Sequence, residues 1–114
     1  MKLLETVRFE FRKAQVILQP SDKIKEARAG YTLDLRKEFR RLARQETWRD
    51  TSDWEIHHVL PLSFGGNNAK SNLVFLPPDI HVAAHEEINL QTFAMEVGER
   101  RTIDLPVFRG LVWS

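Results

Sequence analysis

The sequence predicts an α+β fold, and three observations carry that reading. The chain opens on alternating apolar and charged residues, continues into a stretch with helical spacing, and then runs strand, long Gly- and Asn-rich loop, strand, helix. At 114 residues it is expected to form one domain, with no second independent unit. A content of 42% hydrophobic and 29% charged residues sets it apart from disordered and fibrous chains. No apolar run approaches the roughly 20 residues that cross a bilayer. Glu5 and Arg8 interrupt the segment a signal peptide would keep apolar, so the expected location is the cytoplasm. The chain has no cysteine, which excludes disulfides and C-x-x-C zinc knuckles and leaves His, Asp, Glu and water as metal ligands.

The first element is a strand. Val7, Phe9 and Phe11 alternate with Arg8, Glu10 and Arg12, the period-2 pattern of a half-buried strand, and it runs on through "AQVILQ" to Pro20. Ser21 is placed to cap a short helix that Gly30 ends. A second helix begins at Thr32, with Leu35, Phe39 and Leu42 on one face and Arg36, Arg40 and Arg44 in a stripe beside them. Between residues 36 and 49 the bases Arg36, Lys37, Arg40, Arg41, Arg44 and Arg49 outnumber Glu38 and Glu46, although the whole chain carries a net charge of only +1. Such a region holds polyphosphate by charge; its plain alternative is a solvated helix face.

The next strand runs from Trp54 to Leu62, "SFGGNNAKS" supplies loop chemistry, and "NLVFLP" is a second strand. Asp79, after Pro77 and Pro78, is the expected N-cap of a helix that Gly98 ends. The residues after Gly98 have strand-like pieces and no chemical signal. Trp48, Trp54 and Trp113 are expected to pack in the core or at its rim.

All four histidines lie in "WEIHHVLPLSFGGNNAKSNLVFLPPDIHVAAH", residues 54–85. His81 and His85 stand four apart on a helix, so both project from one face, next to Ile80, Ala84, Ile88 and Met95. Two imidazoles one turn apart suit a divalent metal. Alone the pair is a weak signal, since a histidine near an apolar face is commonly a packing residue. The second pair, His57 and His58, and the absence of histidine elsewhere strengthen it.

Glu55, His57, His58, Pro61, Gly65, Gly66, Asn72, Leu73, His81 and His85, in a strand, loop, strand, helix order, resemble the HNH nuclease family, also called the ββα-metal or His-Me finger. The form E-I-H-H-x-x-P-x-S-x-G-G, then Asn-apolar, then H-x-x-x-H, is similar to the colicin-type DNase branch, whose first ligand position is His where most other branches have Asp. The resemblance implies a ββα-metal core over residues 54–97, with residues 1–50 as a strand-and-helix extension and 98–114 as a second one. It implies that His57, His81 and His85 hold one divalent metal and that His58 is the general base. It further implies that Asn72 ties the loop to backbone near His58, and that Glu55 orients His58 or a nearby arginine. Pro61, Gly65 and Gly66 shape the loop.

The chemistry agrees with that division. Three neutral imidazoles leave a cation its full charge and open positions for substrate, whereas four would close the site. An unligated imidazole, with an ordinary pKa of about 6.5, accepts a proton from water at physiological pH. In an ideal strand His57 and His58 point to opposite faces, yet both must address one phosphate, so the strand is expected to bend or end there. Arg36, Arg40, Arg41, Arg44 and Lys70 are the candidates for gripping backbone phosphates. Arg49 is the candidate for the scissile phosphate. Glu86 and Glu87, directly after the last ligand, depart from what DNA contact favours.

The reading is a metal-dependent endonuclease cutting DNA with low sequence specificity. Three imidazoles favour zinc, nickel or cobalt by affinity, whereas availability favours magnesium or manganese as the physiological ion. Its rivals are a noncatalytic, metal-stapled nucleic-acid-binding or assembly protein and a nuclease acting on RNA; an inhibitor or partner protein fits each.

Overall fold

The alternating segment at the start of the chain folds as β1, Phe9–Ile17. A computed structural model describes residues 9–46 and 53–108, and in it β1 pairs antiparallel along its whole length with β4, Arg100–Phe108, from Phe9↔Phe108 to Ile17↔Arg100. The strand forms as its pattern predicts, but the face it buries is the other one. Ala14 and Val16 point inward and Phe11 is 53% exposed, while Val7 lies outside the described residues. The reason is parity: pairing puts Ala14 opposite Ile103 and Arg12 opposite Leu105, so the even-numbered side of β1 shares the face whose Ile103 and Leu105 are buried. Val16, Ile103 and Leu105 close around Ile88 of helix α3, Pro78–Gln91. Each of these side chains contributes about 1.5–3 kcal/mol by leaving water. Residues from the two flanks of the chain thus make the floor on which α3 lies.

Two helices follow β1. Helix α1, Ser21–Ala29, starts from Pro20, whose carbonyl accepts from the N–H groups of Lys23 and Ile24. Ser21 is the first helical residue and makes no cap, contrary to expectation; Pro20, extended at φ −65° and ψ 154°, already holds the cap position. Gly30 ends the helix as expected. Helix α2, Leu33–Glu46, is capped by Thr32, whose Oγ1 accepts from Leu35 N at 3.2 Å.

Strand β2, Glu55–His58, pairs antiparallel with β3, Leu73–Leu76. It is shorter than the expected 54–62, because the chain turns after His58 and enters a 3-10 turn at Leu62–Phe64 with Pro61 as its cap. Gly65 adopts φ +95°, a region open to glycine. A Cβ on Gly66 would sit 1.8 Å from the carbonyl oxygen of Leu60. Gly66→Ala is therefore expected to cost at least about 3 kcal/mol in a denaturant titration, since backbone rather than a side-chain tip blocks the methyl.

Helix α3 is capped by Pro77, with Pro78 in its first turn. Asp79, the expected cap, instead lies inside the first turn, where its charge complements the helix dipole. The helix ends at Gln91 with Thr92 as cap, ahead of the expected Gly98. Arg101 explains the early stop by taking the carbonyls of Gln91 and Phe93 at 3.1 and 3.0 Å. Gly98, at φ +84°, turns the chain into β4. The architecture is α+β, with two small antiparallel sheets and three α-helices among the described residues. No described helix is long and apolar enough to cross a membrane.

Candidate metal centre

Alternation along β2 puts Glu55 and His57 on the side facing α3, and helical spacing on α3 puts His81 and His85 one above the other opposite them. His57 is 1% exposed. Its ring centroid lies 5.1 Å from that of His81 and 5.2 Å from that of His85. The Nε2 atoms of His81 and His85 are 3.0 Å apart, and each of the three residues offers a ring nitrogen within 4.8 Å of the others. Two nitrogens bound at about 2.0–2.1 Å to a common ion are themselves roughly 3 Å apart. The triad can hold a metal ion.

Two further observations fit a cation. Neither ring nitrogen of His57 has a hydrogen-bond partner, though both are buried; an orphaned buried polar atom costs about 1–3 kcal/mol, which a ligated cation offsets. The rings of His57 and His85 also favour the neutral form that ligates. Burial, reinforced by the neighbouring His81, His85 and His58, pushes the His57 pKa down to about 3. Burial and His81 lower that of His85, against the opposing pull of Glu55.

Among the described residues, Glu55 stands beside the triad. Its Oε2 is 3.5 Å from His81 Nδ1, a carboxylate-to-imidazole arrangement that orients a ligating ring. Strand parity puts residues 55 and 57 on one face and residue 58 on the other, so Glu55 serves the triad and not His58, while Arg49, the arginine just upstream, lies outside the described residues.

His58 is not one of the three converging residues, yet it is near enough to disfavour protonation of His57 and His85. Strand β2 ends at His58, as expected, and alternation within it gives the two adjacent histidines different neighbours. The His58 ring packs at 4.7 Å, edge to face, with Tyr31, and its Nε2 lies 2.9 Å from Oδ1 of Asn68. Asn72 clamps the loop behind it. Its Oδ1 accepts from Leu60 N, while its Nδ2 donates to Leu60 O and Asn67 O, each at 2.9 Å.

The basic residues divide. Arg41 and Arg44 are exposed and, with Lys37 and Arg40, line an open groove along α2. Arg40 is not free for a ligand as expected: its guanidinium donates to Trp54 O at 3.1 Å and lies 5.3 Å over Phe75. Trp54 is buried, as expected, 6.0 Å from Phe75. Arg36 lies 5.4 Å over Tyr31, whose phenol pKa is raised by burial against the pull of Arg36 and Arg40. Lys70 pairs with Glu38 at 3.8 Å, an exposed bridge of little energetic weight. Arg49, Trp48 and Trp113 lie outside the described residues. Asn68 and Tyr31 were not among the expected site residues; the signal that points to Tyr31 is that it is the chain's single tyrosine, directly after the Gly30 corner.

Fold and site together define an α+β protein with a histidine triad able to hold a metal. Over 50 residues it is 42% identical to an uncharacterized 38.5 kDa protein in psbA intron 1 of Chlamydomonas moewusii, a match spanning 43% of this chain and 14% of that protein. No family model matches the chain, and no solved structure matches it.

Proposed function

We propose that the protein is a metal-dependent endonuclease of the HNH, or ββα-metal, type that hydrolyses phosphodiester bonds in DNA. The observation that carries this reading is the three-to-one division of the histidines. Three converge across β2 and α3, and the fourth is held apart by Asn68 and Tyr31. When bound, a divalent cation supplies positive charge to the phosphate as it becomes pentacoordinate. His57, His81 and His85 hold it, and Glu55 fixes the His81 ring. His58 accepts the proton of the attacking water. Asn72 keeps the turn after His58 in place, so that the base does not drift from the triad. Lys37, Arg41 and Arg44 meet backbone phosphates without reading bases. The similarity to a protein in an intron accords with a nuclease of a mobile element.

The test is nicking of supercoiled plasmid by the full chain with magnesium, manganese, cobalt, nickel and zinc in turn, against a chelated control and an RNA of equal length. Nicking with at least one ion and none with chelator is the expected result. Metal uptake without cleavage of plasmid under any of the five sinks the DNase reading; cleavage of the RNA alone transfers the activity to that substrate.

A further inference from the structure

We infer that Asn68 is a positioning residue for His58: it holds the ring in the Nε2–H tautomer and leaves Nδ1 as the nitrogen that can accept a proton. The inference rests on the reading of His58 as the base, and on a chain of hydrogen bonds whose polarity can be worked out from its far end. At that end is the carbonyl oxygen of Ala27, which can only accept. Asn68 reaches it at 3.0 Å with Nδ2, so the amide is oriented with its NH₂ toward α1 and its oxygen toward His58, 2.9 Å from Nε2. An amide oxygen only accepts, so Nε2 must carry the hydrogen, and in a neutral imidazole the other nitrogen then has the lone pair.

The surroundings preserve this polarity. Ala27 lies in the last turn of α1, where carbonyls lose their helical partners, and the N–H of Tyr31 goes to Arg28 O instead. Gly30 leaves the space Asn68 needs, since a Cβ there would come within 3.2 Å of Nδ2. Asn67, just before it, is pinned by two bonds: its side-chain oxygen accepts from Ala69 N at 3.0 Å, and its carbonyl accepts from Asn72. Tyr31 closes the flank of the His58 ring. The α1–α2 corner, which shows no chemical motif in the sequence, therefore reaches the proton-accepting ring through one amide.

The test is the ring tautomer of His58, read from two-bond ¹H–¹⁵N correlations of the zinc-loaded full chain, at a pH well above the ordinary histidine pKa of about 6.5. Wild type is expected to show hydrogen on Nε2. Asn68→Ala is expected to show a mixture, with the signals of His57, His81 and His85 unmoved, and a kcat for nicking lowered about 10–100-fold at unchanged KM and zinc affinity. Asn68→Asp keeps an acceptor oxygen and is expected to retain the Nε2–H form. Hydrogen on Nδ1 in wild type, an unaltered Nε2–H form in Asn68→Ala, or a lost preference with unchanged kcat each overturns the assignment. A wild type that nicks nothing defeats the nuclease reading, and the tautomer spectra then decide the role of Asn68 by themselves.

Discussion

Replacing His58 by alanine is expected to lower plasmid nicking by about 10²–10⁴-fold, the range for removing a general base, while fold and metal content stay as they are. The structural reason for expecting so clean a separation is where His58 sits. It is half-buried at the last position of β2, its ring faces Asn68 and Tyr31, and it is not among the residues that converge with His81 and His85. Removing it forfeits one hydrogen bond and one edge contact, about 1–2 kcal/mol together, and leaves the triad intact. His57→Ala removes a buried side chain that faces α3, so it is expected to lose metal and activity together. Thermal melting, bound zinc and nicking rate, measured for both variants, distinguish the two cases. A His58→Ala protein that has lost its zinc, or one that nicks at the wild-type rate, removes His58 from the role of base.

What could be read in the sequence, and what could not, follows the range of the forces involved. The juxtaposition of His81 and His85 is a local property of a helix, and their spacing alone foretells it. The position of His57 opposite them depends on the parity of a short strand, which the sequence also carries. Contacts across long separations were not legible. Asn68 sits in a Gly- and Asn-rich run that reads as turn chemistry, and its second partner, Ala27, is 41 residues away. The charge on Arg40 reads as solvent-facing, yet the carbonyl of Trp54 and the face of Phe75 hold its guanidinium. At the N-terminus the alternation foretold a strand and the wrong face. Which side of β1 is buried is decided by β4, whose sequence carries no chemical motif and whose buried face packs on Ile88 of α3.

Metal removal and acid are expected to destabilise the protein through the same side chain, His57. In the metal-free protein its pKa is about 3, against about 6.5 in an unfolded chain. Between those values the unfolded state binds the extra proton, so stability rises with pH across the interval. The contribution is fully present above about pH 6.5 and is lost as pH falls through about 3, on the order of 5 kcal/mol in all; the lowered pKa of His85 acts in the same direction. Zinc at about 100 times its dissociation constant adds about 2.7 kcal/mol at neutral pH, and that increment too shrinks with acid because protons compete for the ligating nitrogens. His57→Leu separates the two effects. It replaces two orphaned nitrogens with apolar surface in a site 1% exposed, so without metal at pH 5 it is expected to melt no lower than wild type, and adding zinc is expected to leave its Tm unchanged. A wild-type Tm indifferent to zinc, or a His57→Leu protein that still gains from it, contradicts the assignment of His57 as a ligand. The orphaned nitrogens are then a packing cost with no function attached, whereas a variant more stable than apo wild type and blind to zinc marks His57 as a residue kept for the ion it binds.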